Sequence, residues 1–172
     1  MNLYHYPAGD FLPDKVNVVV EISKDTNTKY EYDVTNGTLV LDRCLISSMR
    51  YPVNYGFIPQ TIGEDDDPLD VLIYSSEAMT PGSVIKNCNI VGGLDMRDDG
   101  VKDHKLLAVP EWNTAGISDI SNIPDTFLNI TRDFFKYYKN LLGKKVIARN
   151  WFNKQRAARV INMGHTKYKE SV

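Results

Sequence analysis

The order of elements in the sequence predicts an α+β fold built on a closed or nearly closed sheet. Short β-prone runs occupy the chain as far as residue 109, helical periodicity begins only after residue 120, and Pro and Gly fall between these runs. Many short strands with helices collected late make a barrel of the oligonucleotide/oligosaccharide-binding kind one candidate architecture. At 172 residues with 42% hydrophobic content, one domain spanning 1–172 is the expected organisation.

Residues 16–22, Val-Asn-Val-Val-Val-Glu-Ile, are β-branched and partly alternating, and read as a strand. Residues 29–34 and 38–43 flank Thr35-Asn36-Gly37, and Asn-Gly between two such runs predicts a hairpin with a type I′ turn, giving a three-strand start. Pro52, Pro59 and Pro68 punctuate the next stretch, so 51–68 is expected to be loop or edge structure, followed by a strand over 69–74. Pro81-Gly82 marks a turn before strands at 83–94 and 105–109, separated by a polar segment at 97–104.

Pro124 and Asp125 suit the first turn of a helix. Phe127, Ile130, Phe134, Tyr138 and Leu141 then recur at steps of three or four, so the longer helix is expected near 125–141, stopped by Gly143. A strand over 144–149 and a shorter helix over 153–163, capped by Asn153, complete the pattern. The last residues, 167–172, are expected to be loosely ordered, and Trp112 and Trp151 to pack against the sheet.

Composition excludes several classes of function. No stretch approaches the ~20 consecutive apolar residues of a membrane helix, and the first residues show no secretory pattern, which makes the cytoplasm the expected compartment. Cys44 and Cys88 form no disulfide framework. A net charge of −2 argues against a protein that binds nucleic acid by neutralising phosphates. Acids nevertheless crowd into 64–70 and 95–103, whereas basic residues dominate 139–169.

The chemistry lies in Asp65-Asp66-Asp67-Pro68-Leu69-Asp70. In an extended segment Asp65 and Asp67 point to one side, and Pro68 can bend the chain so that Asp70 returns to it. Converging anions with oxygen donors only, and no nearby His or Cys, suit Mg²⁺ or Mn²⁺ better than Zn²⁺. An EF-hand loop is excluded, because in the register from Asp65 the turn Gly is Asp70 and the bidentate Glu is Ser76. A solvated acidic turn is the competing reading of the run alone. A second acidic segment, Asp98-Asp99-Gly100 with Asp103-His104-Lys105, could complete a multi-metal site. Lys29, Arg43, Lys105 and Lys139 each adjoin an apolar or aromatic pattern, the context of a positioned charge, although any one alone is more often a snorkelling surface cation.

Asp65 to Val71 resembles the signature of the family I soluble inorganic pyrophosphatases, which runs Asp, small or polar, Asp, Pro, apolar, Asp, apolar. The resemblance extends through Glu21, Lys29-Tyr30-Glu31, Asp42-Arg43, the segment 51–59, Pro81-Gly82, the 98–105 loop and Phe134 to Lys139, covering roughly 16–151. It implies a five-stranded barrel with helices outside it, Mg²⁺-dependent hydrolysis of pyrophosphate with several ions per site and Mn²⁺ as a substitute, and a homohexamer of the bacterial type. It further implies Asp65, Asp70 and Asp103 as ligands of the tightest metal sites, Asp70 bridging two ions, and Asp98 as ligand of a metal that arrives with substrate. Glu21 and Glu31 would hold metal-bound waters, and Lys29, Arg43, Tyr55, Tyr138 and Lys139 would grip the two phosphates. Asp67 would be the proton acceptor, with Tyr51, Asp99 and Lys105 supporting.

The chain departs from the family pattern at His104, where a small or acidic residue is more usual, and at Asn140, where an acid is common. The rival readings are less well equipped. No G-x-x-x-x-G-K-[ST] run is present to hold a nucleotide. The ten tyrosines would suit a stacking platform, but Tyr51 and Tyr55 lie beside the acid run rather than in a basic groove.

Overall fold

The structure, a computed structural model of the chain, describes residues 1–113 and 115–172. Five strands close into a ring. β1 (Lys15–Ile22) pairs antiparallel with β4 (Asn54–Phe57), which pairs antiparallel with β5 (Asp70–Ile73). β5 runs parallel to β8 (Lys105–Val109), β8 antiparallel to β6 (Val84–Asp98), and β6 returns to β1. The end of β6 also pairs with the short β7 (Val101–Lys102) and with β9 (Val146–Asn153). β2 (Thr28–Asp33) and β3 (Thr38–Cys44) form a separate two-stranded sheet.

Strand alternation divides the core in two. Val71, Ile73, Leu106 and Ala108 belong to a buried cluster with Ala157 and Ile161 of α2 (Lys154–Ser171), while Leu72, Leu107 and Val109 belong to another with Phe134 and Phe135 of α1 (Asp125–Tyr137). α1 therefore packs on one face of these strands, while Ala157 and Ile161 of α2 join the cluster drawn from β1, β5, β6 and β8. Both faces are fully buried, so β5 and β8 read as continuous apolar runs with no polar alternation.

The mixed α+β class and the late helices agree with the sequence pattern, but several details differ. The segment 51–68 contains β4, which lies between β1 and β5 inside the ring and not at an edge. Pro52 and Pro59 stand outside its four residues, so neither interrupts its hydrogen bonds. β6 runs on through Asp98 into the expected polar segment, because β9 and β7 supply partners there.

The hairpin forms, but it does not join β1. Its turn is not type I′, since Gly37 has φ of 68° while Asn36 does not share the left-handed conformation. Instead Gly37 N–H donates to Asp33 O at 2.7 Å, and the Asp33 carboxylate accepts from the amides of Thr35 and Asn36, both at 2.9 Å.

The relative helix lengths are reversed. α1 has 13 residues and gives way at Tyr138 to a 3₁₀ turn (Asn140–Leu142), whereas α2 has 18 and continues through Ser171. Asn153 does cap α2, accepting from Arg156 N–H at 3.0 Å. The tail expected to be loose is ordered because Tyr168 is buried, its hydroxyl 2.6 Å from His5 Nδ1. Trp112 is 66% exposed and does not pack as expected; Trp151 is half-buried, its indole N–H donating to Leu128 O at 3.2 Å.

Candidate active site

The closed ring brings the two acidic segments together. Asp70 opens β5 and Lys105 opens β8, and the parallel register Val71 opposite Leu106 places these two residues side by side at the same end of the ring. Lys105, buried to 2% exposure, directs its ammonium at Asp70 Oδ2 (2.5 Å), Asp103 Oδ1 (2.7 Å) and the Tyr55 hydroxyl (3.1 Å).

Asp65 and Asp67 reach the same cavity by a tight turn and not by the extended segment expected. Asp66 adopts φ of 68°, Gly63 N–H donates to Asp67 O at 2.7 Å, and Asp67 N–H donates to Asp65 Oδ1 at 3.2 Å.

Around this floor the cavity has a volume of about 420 Å³. Lys29 and Glu31 line it from β2, Glu21 from β1, Asp98 from the end of β6, and Tyr138 and Lys139 from just beyond α1. Lys29 forms ion pairs with Glu31 and with Asp42 (2.9 Å), and Lys139 pairs with Asp98. Glu21 accepts from Tyr32 N–H at 2.8 Å, which ties the hairpin to the ring.

Three expected residues do not line the cavity. Arg43 lies across β2–β3 from Lys29; its Nε is shielded from solvent without a hydrogen bond, and Asp42 Oδ2 is 3.6 Å away. Tyr51 is buried behind it, with ring centroids 6.2 Å from Tyr55 and 6.5 Å from Tyr138. Asp99 is exposed in the β6–β7 turn with φ of 51°. The structure adds Tyr30, Tyr32, Phe57 and Val101 as walls and Asp42 as the partner of Lys29. A register shift between Lys29 and Tyr30 accompanies the presence of successive β2 residues at one cavity, which strict alternation does not predict.

The electrostatics record a shortage of positive charge. Burial, reinforced by Asp70, pushes the Glu21 carboxyl up to about 8. Burial likewise raises Asp70, despite Lys105. For Asp103 burial acts in the same sense, but the Lys105 ammonium more than offsets it and holds this carboxyl below the usual range. Asp65 and Asp67 are both raised, first by burial and then by Asp103 and Glu31 respectively. For Lys105 the carboxylates outweigh burial, so it stays charged.

No three of these groups form a ready-made coordination shell among the described residues. The donor set nevertheless fits a hard divalent cation, since it offers carboxylate oxygens and burial raises the Glu21 and Asp70 carboxyls, which a bound cation would offset.

A cavity with carboxylates on its floor and lysines and phenols on its walls can hold a polyanion together with hard cations. Residues 18–169 match the family described as inorganic pyrophosphatase. The inorganic pyrophosphatase of Aquifex pyrophilus is 40% identical over 169 residues, covering 95% of each chain, and that of Sulfolobus acidocaldarius is 45% identical over 148 residues, covering 83% of this chain and 85% of its own. Among solved structures, the Thermus thermophilus inorganic pyrophosphatase superposes with a TM-score of 0.94 at 36% identity over 98% of this chain and 99% of its own. The chain belongs to the inorganic pyrophosphatase family, and its activity is hydrolysis of pyrophosphate.

Proposed function

We propose that this chain hydrolyses pyrophosphate to two phosphates with Mg²⁺, by direct attack of water and without a covalent intermediate. The observation that carries the reading is the convergence of Asp65, Asp67, Asp70 and Asp103 on one cavity whose other walls present Lys29, Lys139, Tyr55 and Tyr138. Asp65, Asp70 and Asp103 would hold the tightest ions, and Asp98 an ion brought by substrate. Glu21 and Glu31 would orient the water around those ions. Bound Mg²⁺ supplies the positive charge that admits a polyanion to an acidic cavity and lowers the pKa of water; Mn²⁺ would serve in its place.

The protein's own groups do the rest. Asp67, its carboxyl raised by burial, is the better proton acceptor for it and takes the proton of the attacking water as the new P–O bond forms. The bridging P–O bond breaks on the opposite side, and charge collects on the leaving phosphate. Lys29 and Lys139, paired with carboxylates in the free cavity, exchange those partners for phosphate oxygens. Tyr55 and Tyr138 can donate from their hydroxyls, and Arg43, across the hairpin from Lys29, would reach the phosphates with its guanidinium. Lys105 keeps Asp70 and Asp103 at a fixed separation, supported by Tyr51 behind and the Asp99 turn at the rim.

The ring is read as a barrel of the oligonucleotide/oligosaccharide-binding kind, which the β1–β6 closure supports, in one domain over 1–172. Assembly into a homohexamer belongs to the same reading, and a monomeric mass by light scattering would be the contrary result. The free thiols of Cys44 and Cys88 suit the cytoplasm. Phosphate release from pyrophosphate compared with ATP at equal Mg²⁺ tests the assignment. Pyrophosphate is expected to be strongly preferred, and equal rates would point to a nucleotide phosphohydrolase.

A further inference from the structure

The acidic turn is held from two directions. From below, the Thr61 hydroxyl accepts from Leu69 N–H at 3.0 Å and donates to Ile58 O at 2.6 Å, fixing the stem. From outside, one turn of α2 grips the rest. Gly164 O accepts from Ile62 N–H at 3.0 Å, and Lys167 Nζ donates to Gly63 O at 2.8 Å and to Asp66 Oδ1 at 2.6 Å. His165 Nδ1 lies 2.8 Å from Gln60 O.

Gly164 is where the helix meets the turn most closely. A Cβ there would stand 2.7 Å from Leu69 Cδ1, so the end of that side chain would have to shift, and 3.2 Å from Ile62 O, a tighter approach than most packed atoms make. Leu69 is buried and immediately precedes Asp70, so displacement of its side chain bears on the backbone that aims the Asp70 carboxylate. Gly in a helix interior costs about 1 kcal/mol relative to Ala in intrinsic propensity, and here it lets the helix approach the turn.

We propose that Gly164 and Lys167 are positioning residues for metal binding, with α2 acting as a latch that sets the spacing of Asp65 and Asp70. The proposal rests on the reading of those two carboxylates as Mg²⁺ ligands. It differs from simple helix packing because the polar contacts of Gly164 and Lys167 fall on the turn that carries Asp65 and leads into Asp70, whereas Ala157 and Ile161 of α2 dock in an apolar cluster that shares only Leu69 with that segment. An ion pair as exposed as Lys167–Asp66 adds little stability by itself. Its bond to the Gly63 carbonyl instead limits how far the turn can open.

The test is calorimetric titration of Mg²⁺ into full-length Gly164→Ala, Lys167→Met, Lys167→Arg and Asp70→Asn proteins without substrate, beside their thermal unfolding in chelator. Residues that orient metal ligands commonly change affinity by 10–100-fold, so Gly164→Ala and Lys167→Met are each expected to weaken Mg²⁺ binding about tenfold. Lys167→Arg is expected to retain most of the affinity, and Leu69→Ala, by making room, to restore part of what Gly164→Ala loses. Wild-type Mg²⁺ affinity in Gly164→Ala and Lys167→Met overturns the latch, even if their unfolding midpoints fall. Wild-type affinity in Asp70→Asn would instead overturn the ligand assignment beneath it.

Discussion

The two acidic segments meet in one cavity but are neutralised differently. In the 98–103 segment, Asp98 is paired with Lys139 and Asp103 with Lys105, and the Asp103 carboxyl is held down. In the 65–70 segment, Asp65 and Asp67 have no ion pair among the described residues, and burial raises both. Asp70 stands between the two conditions, paired with Lys105 yet still raised. The fold thus supplies internal cations to one side and leaves the other in deficit, which is the condition for drawing in a divalent ion.

The strongest way to break this comparison is to remove a carboxylate from the deficient side. Asp67→Asn should lower kcat about a thousandfold, within the range for loss of a general base, while Mg²⁺ titration stays near wild type. An effect of similar size on both quantities would make Asp67 a ligand instead.

Next in size is loss of the internal cation. Lys105→Met leaves Asp70 and Asp103 facing each other in a buried site, and breaking such a pair costs about 3–5 kcal/mol. Denaturant unfolding in chelator should show that loss, with added Mg²⁺ recovering part of it; an unchanged midpoint would mean that Lys105 is not the fixed counter-charge.

A smaller effect follows from pH. Glu21 and Asp70 have carboxyls raised in the folded chain, so the stabilisation gained by keeping them protonated is present below the ordinary carboxylate range. For Glu21 it is lost as pH rises from 4.5 through about 8. The unfolding midpoint in chelator should fall across that window, Glu21→Gln should flatten the slope, and a rising midpoint would contradict the charge-deficit account.

The smallest effect is expected at Asp66, whose side chain points to solvent. Asp66→Asn keeps an acceptor for Lys167 and tolerates φ of 68°, so stability should change by no more than about 0.5 kcal/mol. Phosphate release should remain near wild type.

How much of this was legible in the sequence depends on how local each feature is. The acid run was visible because its Asp–Pro–Asp spacing is local, and the Asn153 cap because one side chain makes it. The placement of Lys105 between Asp70 and Asp103 required the β5–β8 parallel register, which couples residues 35 apart in the chain. The helix expected over 153–163 runs on through Gly164, a residue of low helix propensity, whose use here is to let Leu69 approach, a tertiary contact invisible to periodicity. Pro52 and Pro59 misled, since they bracket a central strand that leaves their missing N–H groups outside the ladder.

The most direct test of the central claim is phosphate release from pyrophosphate by wild-type and Asp67→Asn proteins, each with Mg²⁺ and with excess chelator. The account predicts rapid release for wild type with Mg²⁺, release about a thousandfold slower for Asp67→Asn with Mg²⁺, and background rates for both in chelator. Release in chelator, or Asp67→Asn turnover within a few-fold of wild type, would contradict it.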